Sequence, residues 1–215
     1  MARYFDRIKK AREAVKMGFG FSHTDPIPTM KGKYILELTD SRTGKVLEHI
    51  EKENLVTLDG GVLIAMLLAS GATPTPPAIR GLTMLAVGTG ATGPILNPDA
   101  PDNRQRHLNA EIARKPFTST VFRTAAGAVS AVPTNVVDFT TSFGEGEAVG
   151  PLNEMGLVRT ISMNPVVLNP VVSVFPTYDP SLDLTVCDIL VNVSNFNLIS
   201  KPNTSILTIT WRISC

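Results

Sequence analysis

Residues 84–94 read MLAVGTGATGP, an apolar run that leads straight into Gly88, Gly90 and Gly93. How this loop is read decides the fold. If the glycines shape the turn of a dinucleotide site, a helix must follow, so that a pyrophosphate can rest on its N-terminus, and the chain is α/β. If they are turn glycines between antiparallel strands, the chain is mainly β. Pro94, Pro98 and Pro101 follow closely, and each removes an amide donor and resists helix continuation. Glu111 stands at a reasonable distance for a ribose-binding acid, but no strand–helix–strand unit surrounds it. The loop is not a phosphate loop either: no Gly-Lys-Ser/Thr follows it, and Gly44-Lys45 runs into Val46 inside a hairpin pattern. The glycines are therefore read as turn positions that need backbone freedom.

The segments around the loop carry the same message. SILTITWRIS, residues 205–214, alternates Leu207, Ile209, Trp211 and Ile213 with Thr208, Thr210, Arg212 and Ser214, the period of a strand with one core face. KYILELTDSRTGKVLEHIEK, residues 33–52, is a hairpin whose turn is supplied by residues 40–44. Further strands are expected over 82–87 and at FTSTVFRTA (117–125), VVDFTTSF (136–143), LVRTISM (157–163), PVVSVFPTY (170–178) and LTVCDILVNVSNF (184–196). A short apolar helix is expected to begin near Gly61, capped by Asp59 and buried at one end of the core. About nine or ten strands separated by turns, without amphipathic helices between them, predict a mainly β fold. The expected architecture is an antiparallel β-sandwich, jelly-roll-like, with a short N-terminal helical arm and one short buried helix.

Two parts are expected: a basic arm and linker over 1–31, and a sandwich body over 32–215. Arg3, Tyr4, Phe5, Arg7, Ile8, Lys9, Lys10 and Arg12 give the arm its charge and a partial apolar stripe, suited to docking on a partner. The alternative is that this helix packs on its own body with its charges in solvent. Gly18, Gly20, Pro26 and Pro28 break the helix beyond it.

The formal net charge of the 215 residues is +1, which offers no global attraction for nucleic acid or an anionic membrane. The longest apolar run, residues 60–71, is about half the ~20 residues of a membrane span, and the charged start does not fit a signal peptide. Cys187 and Cys215 are too few for a disulfide framework and are read as reduced. His107 and Glu111 at i and i+4 make only half a metal site, so no metal and no cofactor is expected. Glu145, Glu147 and Glu154 admit a carboxylate hydrolase in principle, but no nucleophile elbow or activated thiol is present, and no enzyme is expected.

Together, ENLVTLDGG, AVGTGATGP, LNAEIARKPF, GEGEAVGPLNEMGL and SILTITWRIS resemble accessory structural proteins of tailed bacteriophage virions. The resemblance spans roughly residues 54–215, with matching positions at Gly88, Thr89, Gly90, Leu108, Glu111, Glu154, Gly156 and Leu157. It implies a non-enzymatic virion component, made in the host bacterial cytoplasm, that binds other virion proteins and forms a homo-oligomer in the particle. Capsid decoration or cement is the favoured role. A collar, baseplate or tail-fibre attachment protein, or a host-glycan-binding module, is the alternative. Glu111 and Glu154 are expected to pin long loops by accepting hydrogen bonds from backbone amides or from Arg106, Arg114 or Arg159.

Overall fold

A computed structural model describes residues 30–69, 81–160 and 188–215. The N-terminal arm, the Pro-rich connection over 70–80, the strand expected at 170–178 and Cys187 lie outside the described residues. The elements are β1 (Lys31–Asp40), β2 (Val46–Val56), α1 (Leu58–Ala69), β3 (Met84–Gly88), β4 (Glu111–Pro116), β5 (Ser119–Phe122), β6 (Val136–Phe143), β7 (Gly150–Arg159), β8 (Ile189–Lys201) and β9 (Ser205–Ser214). They form one antiparallel sheet in the order β4-β3-β7-β8-β2-β1-β9-β6-β5. The chain is thus mainly antiparallel β.

The period-two pattern sets the register. β1 lies against β9 with Leu36 opposite Ile209, Leu38 opposite Leu207, and Tyr34 opposite Trp211, whose rings meet at 5.5 Å. On the other face of β9, Thr210 and Thr208 make hydroxyl contacts with Thr140 and Ser142 of β6, at 3.1 and 2.8 Å. The two halves of the sheet meet at β2. It pairs with β1 along most of its length but with β8 only through Leu55 opposite Val193 and Val56 opposite Asn192. The sheet curls about this seam. One core gathers Tyr34, Leu36, Trp211 and Phe143 from one half with Leu85, Val87, Met155, Leu157 and Phe196 from the other. A single flat sheet of this length would leave one apolar face in water, and the curl removes that exposure.

A smaller apolar cluster lies on the opposite face of β3, β7 and β8, where Leu108, from the long loop between β3 and β4, covers Ala86, Val158, Leu190 and Val193. α1 adds Leu63 against Ile189 and Val191. Two expectations about this helix need correction. Thr57, not Asp59, caps it: its hydroxyl oxygen accepts from the Gly60 amide at 3.0 Å and donates to the Leu190 carbonyl. Nor is it buried throughout, because Leu58, Val62, Ile64 and Leu67 are exposed while Leu63 is not. An all-apolar helix sequence has no polar side to mark which face packs. Among the described residues no helix is long and apolar enough to cross a membrane.

β4 and the first half of β7 were not expected as strands. The sequence EIARKP closes a polar stretch, and GPLNEMG carries Gly, Pro, Asn and Glu, all poor strand formers. Tertiary constraints explain the glycine: a Cβ on Gly156 would come within 2.7 Å of the Asn192 carbonyl oxygen.

The adjacent glycines of α1 provide a test of how the helix docks. A Cβ on Gly60 would stand 2.7 Å from the Val191 carbonyl oxygen, whereas one on Gly61 would meet nothing within 4 Å. Gly61→Ala is expected to stabilise by about 0.5–1 kcal/mol through helix propensity. Gly60→Ala is expected to destabilise despite the same propensity gain. Thermal unfolding followed by the fluorescence of the single tryptophan checks both; equal shifts would contradict this docking.

Candidate functional site

The glycine loop is organised by one carboxylate. Glu154, in the middle of β7, is fully buried. Its Oε1 accepts from the amides of Gly90 at 2.9 Å and Ala110 at 2.7 Å, and its Oε2 accepts from the amide of Asn109 at 3.0 Å. Both ends of the loop between β3 and β4 therefore meet on a single side chain. Glycine is required where that carboxylate sits: a Cβ on Gly88 or on Gly90 would fall 2.6 Å from Glu154 Oε1. The neighbouring Asn153 completes the clasp, accepting from the Ala91 amide at 3.0 Å and donating to its carbonyl at 3.3 Å. Asn109 also donates to the Gly90 carbonyl at 3.1 Å.

Further along, the loop is tied to its surroundings by backbone groups. Gly93 adopts a φ of 89°, and the Asp99 amide donates to the Thr92 carbonyl at 2.8 Å. The Leu198 amide donates to the Ile95 carbonyl, and the Leu58 amide to that of Asn103. The loop thus spans from β8 to the start of α1. Its tip leaves Ile95 and Leu96 largely in solvent.

Glu111 lies one strand away, with Gly88 opposite both it and Glu154 in the neighbouring strands. A register shift between Val87 and Gly88 skips Ile112, and this bulge turns Glu111 onto the face that Arg114 occupies. Arg114 grips the Glu111 carboxylate with two donors, at 2.6 and 3.2 Å, and reaches Asp188 at 2.5 Å with a third. Of the three arginines considered as partners, Arg114 holds Glu111. Arg106 lies 3.8 Å from Asp59 instead, and Arg159 is buried. Burial pushes the pKa of Glu111 up to about 8, against the pull of Arg114 and with smaller pushes from Asp188 and Glu154.

Sequence reasoning missed a further buried acid. Asp138 of β6 accepts from Arg212 at 2.7 and 2.9 Å and from Arg123 at 2.8 Å. Burial raises its pKa, but the two arginines outweigh this and hold it below the usual carboxylate range. The alternation of β9 had put Arg212 on the face away from the core, which was the available signal.

Of the acids considered for hydrolysis, Glu147 is engaged by Lys115 at 2.6 Å and by the Gly144 amide at 2.7 Å. Lys201, also buried, donates to the carbonyls of Gly144 and Ser205, both at 2.9 Å. Among the described residues no group of three or more His, Cys, Asp or Glu could hold a metal ion. His107 contacts the Leu108 carbonyl oxygen at 2.7 Å through Nδ1. An open cleft of about 330 Å³ lies beside the seam, lined by Lys52, Asn54, Asp99, Ser194 and Asn195 among others. Trp211 is fully buried against Tyr34. Arg3, Tyr4, Phe5, Arg7, Ile8, Lys9, Lys10 and Arg12 lie outside the described residues.

Fold and site together define an antiparallel β protein in which a buried carboxylate clasps a long surface loop. No protein-family profile matches the chain, and no characterised protein sequence matches it.

The Glu111 cluster makes stability pH-dependent with a definite sign. Its folded pKa lies above the ordinary value of 4.5, so its stabilising contribution is complete below that value and is lost as the pH rises toward about 8. Unfolding free energies measured from about pH 5 to 8 should fall, with a limiting slope from this group of about 1.4 kcal/mol per pH unit. Glu111→Gln, which cannot ionise, is expected to flatten that fall. An unchanged slope in the variant would show that Glu111 is not the group responsible.

Proposed function

We propose that the chain is a non-enzymatic structural subunit of a tailed-phage virion, with capsid decoration or cement as its favoured role. The observation that carries this reading is the use made of Glu154. A fully buried carboxylate with three backbone amides on it is committed to holding a loop in one shape, not to moving protons. Gly88, Thr89, Gly90, Glu154 and Gly156, positions at which the chain resembles phage accessory proteins, belong to this clasp or adjoin it. In this reading the curled sheet is a flattened β-sandwich of jelly-roll type, and its loops and N-terminal arm contact the major capsid protein or tail and collar subunits. Repetition by particle symmetry then lets weak contacts add.

A collar, baseplate or tail-fibre attachment role uses the same parts at a different place. The host-glycan reading is weaker, because Trp211, the one tryptophan, is buried in the core beside Tyr34 and offers no stacking face.

Quantitative mass spectrometry of gradient-purified particles from the lysate that produces this chain tests the reading. A copy number matching the shell symmetry is the expected result for a decoration protein. A few copies per particle would move the chain to a collar, baseplate or fibre, and its absence from particles would overturn the virion reading.

A further inference from the structure

Among the described residues, β2 is paired on both edges only at its end. Along one edge it runs against β1 from Asn54 to Val46, but along the other it meets β8 only at Leu55 and Val56. The stretch over 46–54 therefore presents a strand edge with no partner strand among the described residues. It is also the most exposed strand segment of the sheet: from Val46 to Glu53 every residue is exposed except half-buried Ile50. Val46 and Leu47 are apolar and 48% and 44% exposed. Such an edge is a template for another strand.

We propose that a second copy of this chain occupies that edge, β2 against β2 in antiparallel register, with the two-fold axis passing through Ile50. The argument is the order of charges in VLEHIEKEN, residues 46–54. Edge strands are commonly protected by charges that would repel a second copy. Here the two-fold sets Glu48 against Lys52 twice and His49 against Glu51 twice, with Ile50 against Ile50. Residues directly opposite in an antiparallel pair share a face, so Glu48, Ile50 and Lys52 form one row and Leu47, His49, Glu51 and Glu53 the other. The second row is already tied to β1, where Lys33 holds Glu51 at 2.6 Å and Glu37 contacts His49 at 3.2 Å. No direct pairing in this register sets like charges against each other. Sliding the partner by two residues puts the axis either at Glu51, which sets Glu51 against itself, or at His49, which sets Glu48 against Ile50 and Lys52 against Val46 and so loses both Glu48–Lys52 pairs. The charge order thus selects Ile50 as the centre. An interface of this kind is isologous and closes at two copies.

The proposal does not rest on the virion reading, since a self-pairing edge serves any assembled role, and the two can fail separately. Sedimentation velocity of the full chain over a concentration series into the high micromolar range tests it. The wild type is expected to form a dimer. Lys52→Glu and Glu48→Lys should each weaken dimerisation by about tenfold or more, because each creates two like-charge pairs across the axis. The double swap Glu48→Lys with Lys52→Glu restores opposite charges in every pair and should restore the dimer. Both side chains are exposed, and thermal melts confirm that each variant is folded. A wild type that stays monomeric throughout, single variants that associate like wild type, or a double swap that fails to recover would each overturn the proposal.

Discussion

The structure depends on one buried carboxylate. Glu154 stands where β3, β7 and both ends of the long loop come together, and its two oxygens accept from three of that loop's amides. Removing a carboxylate from water costs several kcal/mol, and charge-assisted hydrogen bonds return about 1.5–3 kcal/mol each. The sum is close to balanced. Glu154 therefore selects a conformation more than it adds stability, and the glycines at 88 and 90 follow from it, since any side chain there would collide with its oxygen. The loop then carries Leu108 onto the outer apolar cluster and sends its backbone to β8 and α1.

The other buried charges are handled differently. The two arginines on Asp138 outweigh its burial and keep it ionised, whereas for Glu111 burial outweighs the pull of Arg114 and favours the neutral form. Lys201 rests on two carbonyls, and burial lowers its pKa against the pull of Glu147 and Glu145.

Much of this was legible in the sequence where local pattern and tertiary demand agree. β1 and β9 alternate cleanly because one face is core and the other is solvated. The three prolines after the glycine loop excluded a βαβ unit without reference to any long-range contact. The start of β7 was illegible for the opposite reason: Asn153, Glu154 and Gly156 serve contacts far away in sequence, as in the bonds from Asn109 and Ala110 to Glu154. The bulge that brings Glu111 and Arg114 to one face is a property of the pairing with β3, not of EIAR itself. The cap on α1 was misassigned by two residues because Thr57 and Asp59 are equally plausible caps until β8 supplies the carbonyls that hold the Thr57 hydroxyl.

Amide hydrogen exchange at Gly90, Asn109 and Ala110, compared between wild type and Glu154→Gln, is the most direct test of the claim that this carboxylate organises the loop. In the wild type these three loop amides should exchange as slowly as the central amides of β7, and in the variant they should exchange far faster while β7 keeps its protection. Rapid exchange at all three positions in the wild type, or protection unchanged by Glu154→Gln, would contradict the account.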